Sequence, residues 1–518
     1  MGRKILFITT DQQRYDTLGV NGGLARTPHL DALARAGIHY ERCHPASVVC
    51  MPSRASMLTG QFPSRHGAWM NGVPLALDAP SVAEALHDVN YATALIGKAH
   101  FEPFVDPFGR FAENALAQLG VPTIEQPWYG GRRGPHRGFD HLELATHGVA
   151  GSLHYATWMR REHPDAMSGF YPVLDRDLNV NGAGGGETGA PQVAINPVPR
   201  EWYHTDWVAE RTIAWLDSLP AEADWFCWMS FPDPHHPWDP PASERSRVSW
   251  RDVELPVNYP TRAAEREAIL DAKAPHWRAW YDGRLVANYE APARWVPASL
   301  TADQVREVNA LNAVEVELID DAVGRVLGAV AQRGWSEDLD VVFTSDHGEF
   351  QGDYGLLFKG PYHVDSLLRV PLIWRPAPSA GIGPARVSTP VSLVSLAATF
   401  LSIAAHAAPA WVEAPALPTQ DQGDQFIVTE WDSVLFGVSV HVRTVASRDV
   451  LYTEYRPGTL HDGSEGELYV QRDDPLQREN RFTDPSLGAL RREMAERIRE
   501  HESRPGDRAA PGALVAPV

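Results

Sequence analysis

Two aspartates, Asp11 and Asp346, each close a largely apolar run: Ile5 to Thr10 and Leu339 to Ser345. Runs of this kind read as strands buried on both faces of a parallel sheet. In such sheets, sites form beyond the carboxyl ends of the strands. Two carboxylates brought together there repel unless a cation lies between them. Asp11-Gln12 and Asp346-His347-Gly348 therefore read as the two halves of a divalent metal site. A single Asp-His pair is ordinarily a solvated loop, so the weight rests on two strand-end pairs in one chain. Cys50 is the third group with chemistry, in Cys50-Met51-Pro52-Ser53-Arg54 running on through Leu58-Thr59-Gly60. Pro52 suits the first turn of a helix and Gly60 its stop. Cys50 then sits just before a helix N-terminus, where partial positive charge favours an oxyanion or a bound anion. The plainer reading of a lone cysteine is a buried structural residue.

The elements that must position these groups follow from pattern. Thr27-Pro28 opens a helix that Gly37 closes, with Leu30, Leu33 and Ala34 on one face. Val82 to Val89 reads as a helix, Ala92 to Ile96 as a short strand and Asp224 to Ser230 as a strand. Thr301-Ala302-Asp303-Gln304 is a capping box that opens a long helix to about Gln332. Strands alternating with helices indicate an α/β sheet covered on both faces. Residues 107–200, with the glycine-rich run Gly182 to Gly186, and residues 240–297, rich in Trp, Pro and charge, read as insertions over the mouth of the site. The 17 tryptophans fit an apolar rim, although core packing is the commoner role for most. After about Ala410 short strands follow, Phe426 to Thr429, Val438 to Val445 and Val450 to Tyr455. Glu467-Leu468-Tyr469 comes next, and a terminal helix begins at Asp484-Pro485. This divides the chain into residues 1–410 and 411–518, with a tail from Pro505 expected to fray.

Composition bounds the partners. The 518 residues exceed one ordinary domain. A net charge of −20 argues against nucleic acid or an anionic membrane, and any anionic substrate needs a locally basic pocket. Three cysteines, Cys43, Cys50 and Cys227, make no disulfide framework. The apolar run after Arg3-Lys4 is too short for a signal peptide and ends in Asp11, and no stretch approaches spanning length. The expectation is a cytoplasmic protein.

The Cys50 element, with proline two residues on and arginine four on, resembles the recognition element of type I sulfatases. The resemblance continues in order through Asp11-Gln12, Gly97-Lys98-Ala99-His100, Pro234-His235-His236-Pro237, Asp346-His347-Gly348 and Gly352-Asp353-Tyr354-Gly355 leading to Lys359. It points to the sulfatase branch of the alkaline phosphatase superfamily. It implies a mixed, mostly parallel central sheet flanked by helices and a small C-terminal antiparallel sheet with one helix. It also implies that a maturation enzyme oxidises Cys50 to Cα-formylglycine, whose hydrated aldehyde attacks the ester. One divalent ion, Ca2+ or Mn2+, would be held by Asp11, Gln12, Asp346, His347 and an oxygen of the modified residue 50. Imidazole among the ligands makes manganese a serious candidate.

Further roles follow from the same resemblance. Lys98 and Lys359 would bind nonbridging oxygens, and Arg54 would hold the diol. His235 would protonate the leaving oxygen with Lys359 as partner, and His100 would take the proton from the second hydroxyl. Asn71 and His363 are weaker pocket-lining donors for substrate. Lys98 with His100 favours a sulfatase. The Asp-Gln and Asp-His ligand pairs resemble phosphonate monoester hydrolases and choline-sulfatase-like enzymes. The reading is a sulfatase of arylsulfatase type with side activity on phosphonate monoesters and phosphodiesters. The alternatives are a phosphonate monoester hydrolase or phosphodiesterase built from the same parts, and a catalytically silent binding protein. The expected partners are a small-molecule ester and the maturation enzyme, and association into a homo-oligomer is left open.

Overall fold

A computed structural model describes residues 3–104, 111–118, 136–149, 151–171, 184–285, 295–435 and 437–503. The central sheet is built from β1 (Lys4–Thr10), β2 (Ile38–His44), β3 (Ala92–Gly97), β4 (His141–Leu144) and β5 (Trp225–Ser230). It is completed by β6 (Leu339–Ser345), β7 (Val370–Arg375), β8 (Ala385–Val387) and β9 (Val391–Ser392). The strand order is β8-β2-β7-β6-β1-β5-β3-β4, with β9 also pairing to β2. Within this sheet β7 runs against both neighbours, and the other pairings are parallel.

Alternation explains why the sheet is covered on both sides. Ile5 and Phe7 of β1, Phe226 and Trp228 of β5 and Val342 of β6 enter one apolar core. Leu6 and Ile8, Trp225, Cys227 and Met229, and Val341 and Phe343 enter the other. The first core is closed by α2 (Cys50–Thr59) and α5 (Ser395–Ile403), among others. The second is closed by α1 (Pro28–Ala36), α3 (His204–Ser218) and α4 (Ala302–Gln332). The expected capping box is present at α4: Thr301 Oγ1 accepts from Gln304 N and Gln304 Oε1 from Thr301 N.

A four-stranded antiparallel sheet comes after it: β10 (Ile427–Leu435), β11 (Val438–Ala446), β12 (Val450–Arg456) and β13 (Gly466–Val470). The terminal helix α6 (Gly488–Glu502) packs Met494 and Ile498 on it. Of the two insertions, residues 107–110, 119–135, 150, 172–183 and 286–294 lie outside the described residues, as does the tail from Pro505. Among the described tryptophans, Trp225, Trp228, Trp238 and Trp277 are fully buried and serve the core, not a rim. No helix among the described residues is long and apolar enough to cross a membrane.

Candidate active site

Register brings the site together. Thr10 pairs with Ser345, Thr9 with Ser230, and Gly97 with Ser230. The four strands therefore end level, and their trailing segments emerge at the same edge: Asp11-Gln12, Asp346-His347, Phe231 to His236, and Lys98 to His100. The strand-end loops also bond to each other. Asp11 N donates to Asp233 O (3.1 Å), Asp346 N to Thr10 O (3.3 Å) and Lys98 N to Ser230 O (2.8 Å). The last bond needs Gly97, which holds φ 105°, and a Cβ there would meet Ser230 O at 1.7 Å. Gln12 and His100 hold left-handed backbone, φ 60° and 58°, a cost of about 1–2 kcal/mol for a side-chain-bearing residue.

Helix α2 supplies the centre. Val49 is its N-cap and Cys50 its first residue, one position further in than expected, with Pro52 still in the first turn. Gly60 ends it in the left-handed conformation, φ 65°, its N–H bonded to Ser56 O at 2.8 Å. Every residue of the helix is buried, Arg54 included. Asn71 Oδ1 accepts from Met51 N (3.1 Å) and so satisfies a first-turn donor beside Cys50.

Cys50 Sγ lies 3.5 Å from Asp11 Oδ1, 3.2 Å from His347 Nε2 and 3.3 Å from Lys359 Nζ. Asp11, Cys50, Asp346 and His347 each offer one donor atom, and the four atoms lie within 4.8 Å of one another. His347 Nδ1–H donates to Gly348 O (2.9 Å), which leaves the Nε2 lone pair facing the cluster. Two carboxylates, an imidazole and a residue-50 atom suit a divalent ion. Gln12 joins the cluster by its side chain: Oε1 accepts from Lys359 Nζ (2.6 Å) and Nε2 donates to Glu349. A carboxylate only accepts, so Glu349 turns the Gln12 amide with its oxygen toward Lys359.

The cationic groups surround the same point. Arg54 Nε donates to Asp346 Oδ2 (2.8 Å), and Nη1 to Lys98 O (2.9 Å) and Ser230 Oγ (2.8 Å). Arg54 Nη2 is buried with no hydrogen-bond partner among the described residues. Lys98 Nζ donates to Asp11, and Lys359 Nζ lies 3.1 Å from His235 Nε2. His235 Nδ1 donates to the His236 carbonyl. His236 instead turns to Gln12 Nε2 (3.3 Å) and packs edge-on to Phe358.

Electrostatics follow from these contacts. Burial alone would raise the Asp11 carboxyl, but the buried cations beside it, Lys98 foremost and Arg54 with it, outweigh that and hold Asp11 well below the usual carboxylate range. Burial, with the Asp11 charge, pushes the Cys50 thiol up to about 12. Burial holds His235 well below its ordinary value, reinforced by Lys359. Burial lifts Glu349 to about 7 despite its Gln12 bond.

Asp11, Gln12, Cys50, Arg54, Lys98, His235, Asp346, His347 and Lys359 thus meet in one contact set, and Asn71 adjoins it. Two expected residues are seen with other neighbours. The His100 ring packs edge-on against Phe104 (5.4 Å between centroids). His363 Nδ1 shares a hydrogen bond with Thr444 Oγ1 (2.7 Å) on β11, which ties its loop to the C-terminal sheet. Sequence reasoning missed Glu349 and His147. Glu349, three residues past Asp346, carried a positional signal. His147 carried none.

A sequence model of the family described as Sulfatase matches residues 3–406. The chain belongs to the sulfatase family. This sulfatase is accordingly an enzyme, a sulfuric ester hydrolase of the alkaline phosphatase superfamily type. It is similar to a multifunctional alkaline phosphatase superfamily protein, PehA, of Trinickia caryophylli: 27% identical over 384 residues, 72% of this chain and 68% of that protein. An arylsulfatase of Clostridium perfringens is 26% identical over 72% of this chain and 68% of its own length. In fold, the sulfatase is similar to the phosphonate monoester hydrolase SpPMH from Silicibacter pomeroyi, with a TM-score of 0.73 at 22% identity over 97% and 95% of the two chains.

Proposed function

We propose that this sulfatase hydrolyses sulfate monoesters of small molecules, arylsulfatase-like, through formylglycine made from Cys50 by a maturation enzyme. Side activity on phosphonate monoesters and phosphodiesters belongs to the proposal. The observation that carries it is the meeting at Cys50 of Asp11, His347 and Lys359, all within 3.5 Å of the sulfur. The buried Arg54 Nη2 adds support, since an oxygen-bearing side chain or ester in this pocket offers it an acceptor.

A divalent ion, Ca2+ or Mn2+, held by Asp11, Gln12, Asp346, His347 and residue 50 would supply positive charge beside the nucleophile and the ester. The chain's own groups do the rest. Lys98 and Lys359 hold the nonbridging oxygens, where charge persists through transfer. Arg54 orients the hydroxyl of residue 50. His235 Nε2 delivers a proton to the leaving oxygen, drawing on the Lys359 ammonium 3.1 Å away. His100 receives the proton when the covalent ester on residue 50 breaks down.

A second reading, phosphonate monoester hydrolysis, is favoured by the Asp11-Gln12 and Asp346-His347 donor pairs. The deciding experiment has two arms. Mass spectrometry of the peptide containing residue 50, from protein made with the maturation enzyme, is expected to show the aldehyde; fully active protein carrying only thiol refutes the mechanism. Specificity constants on matched aryl sulfate and aryl phosphonate are expected to favour sulfate, and the reverse order supports the second reading.

A further inference from the structure

His147 lies three residues beyond the end of β4, in Ala145-Thr146-His147-Gly148. It is buried, with 7% of its surface exposed. Its Nε2 is 3.1 Å from Lys98 Nζ and 3.4 Å from Asp11 Oδ2. Its ring stacks on that of His235, with centroids 4.1 Å apart and planes 20° from parallel. One imidazole therefore touches both groups that meet the ester: Lys98 at its nonbridging oxygens and His235 at its leaving oxygen.

An ammonium carries three donors and no acceptor. The bond between Lys98 and His147 must then run from Nζ to Nε2, which leaves the His147 proton on Nδ1. One further Lys98 donor goes to Asp11. With two N–H directions set by buried partners, tetrahedral geometry sets the third. That third donor is the one an ester oxygen receives.

We propose that His147 is a positioning residue of this hydrolase: it accepts from Lys98 and braces the His235 ring, so that both reach one ester in a single geometry. The inference rests on the roles of Lys98 and His235 given above. Displacement of a reacting group by about 1 Å can cost on the order of 10²-fold in rate, which sets the expected size of the effect.

The test is a double-mutant cycle on the mature, metal-loaded enzyme, with His147→Phe, Lys98→Ala and both together. Phenylalanine keeps the stacked ring and removes the acceptor. His147→Phe is expected to lower kcat/KM for an aryl sulfate by roughly 10²-fold with Lys98 present, and by less than about threefold in the Lys98→Ala background. His147→Gln, whose amide oxygen can accept from Lys98, is expected to recover at least about tenfold of the loss. The inhibition constant of inorganic sulfate should show the same coupling. Equal fold-losses in both backgrounds overturn the proposal, as does a glutamine variant no better than phenylalanine. If Lys98→Ala alone leaves the rate unchanged, the role given to Lys98 is wrong, and the positioning role of His147 is overturned with it. If His147→Phe does not fold, His147→Met runs the same cycle with the same criteria.

Discussion

Arg54 is the side chain whose loss should disturb the site most sharply. Its guanidinium and the Asp346 carboxylate are both fully buried, paired at 2.8 Å. In Arg54→Met the apolar volume is roughly kept, but Asp346 loses this counter-ion and retains, among the described residues, the backbone donors of Gln12 (3.0 Å) and His347 (2.9 Å). Removing one partner of a buried ion pair costs about 3–5 kcal/mol, because the other charge stays buried and uncompensated. Ser230→Ala is the matched control. It removes a neutral hydroxyl that accepts from the same charged guanidinium at 2.8 Å, worth about 1.5–3 kcal/mol. The assay is urea unfolding of chelated protein monitored by tryptophan fluorescence, so that no bound cation stands in for Arg54. A site cation should offset part of the loss, so the arginine variant gains more stability from added metal than wild type does. If Arg54→Met shifts unfolding no more than Ser230→Ala, the buried pair does not hold this site as described.

Three further outcomes are expected. His235→Ala should slow esters with poor leaving groups by about 10²–10⁴-fold while sparing an activated nitrophenyl ester, whereas His100→Ala should accumulate a sulfated residue 50 with little leaving-group dependence; parallel slopes without an adduct refute that division. Asp346→Asn and His347→Ala should each weaken metal binding in calorimetry, and full activity in protein shown metal-free by elemental analysis refutes the site. At the other end of the chain, burial raises Glu430, but the His501 hydrogen bond, Arg443 and Ser64 outweigh it and bring Glu430 to about 2. A folded-state value below the unfolded one gives stability that is present above roughly pH 4.5 and lost as pH falls toward 2, on the order of 2–4 kcal/mol in all. The stability gap between wild type and Glu430→Gln should therefore narrow over that window, and a gap that stays constant down to pH 3 refutes the clasp between β10 and α6.

The features legible before folding are local. The apolar runs at Ile5 and Leu339, the capping box at Thr301 and the glycine stop at Gly60 each declare an element within a few residues. An aspartate at the end of a buried run declares a site edge. Because those cues are short-range, Asp11, Asp346 and the Cys50 helix could be placed without any contact. The half of the sheet formed by β2, β4, β7, β8 and β9 had no such cue. β4, β8 and β9 are short, Pro371 interrupts β7, and β2 carries His39, Glu41 and Arg42 through its run, so only pairing with neighbours already in the sheet makes them strands. The same distinction holds in the site. The resemblance to sulfatases pointed to Lys98, His235 and Lys359, yet their meeting depends on Thr10, Gly97, Ser230 and Ser345 ending level across four strands. Glu349 against Gln12, and His147 against Lys98 and His235, are contacts between residues far apart in the chain. No local pattern encodes them, since a histidine or glutamate in a loop reads the same in sequence whether it faces water or is buried against a lysine. The residue types and the order of the chemistry were thus sequence properties, whereas the partner, orientation and protonation of each group were decided by the register of the sheet.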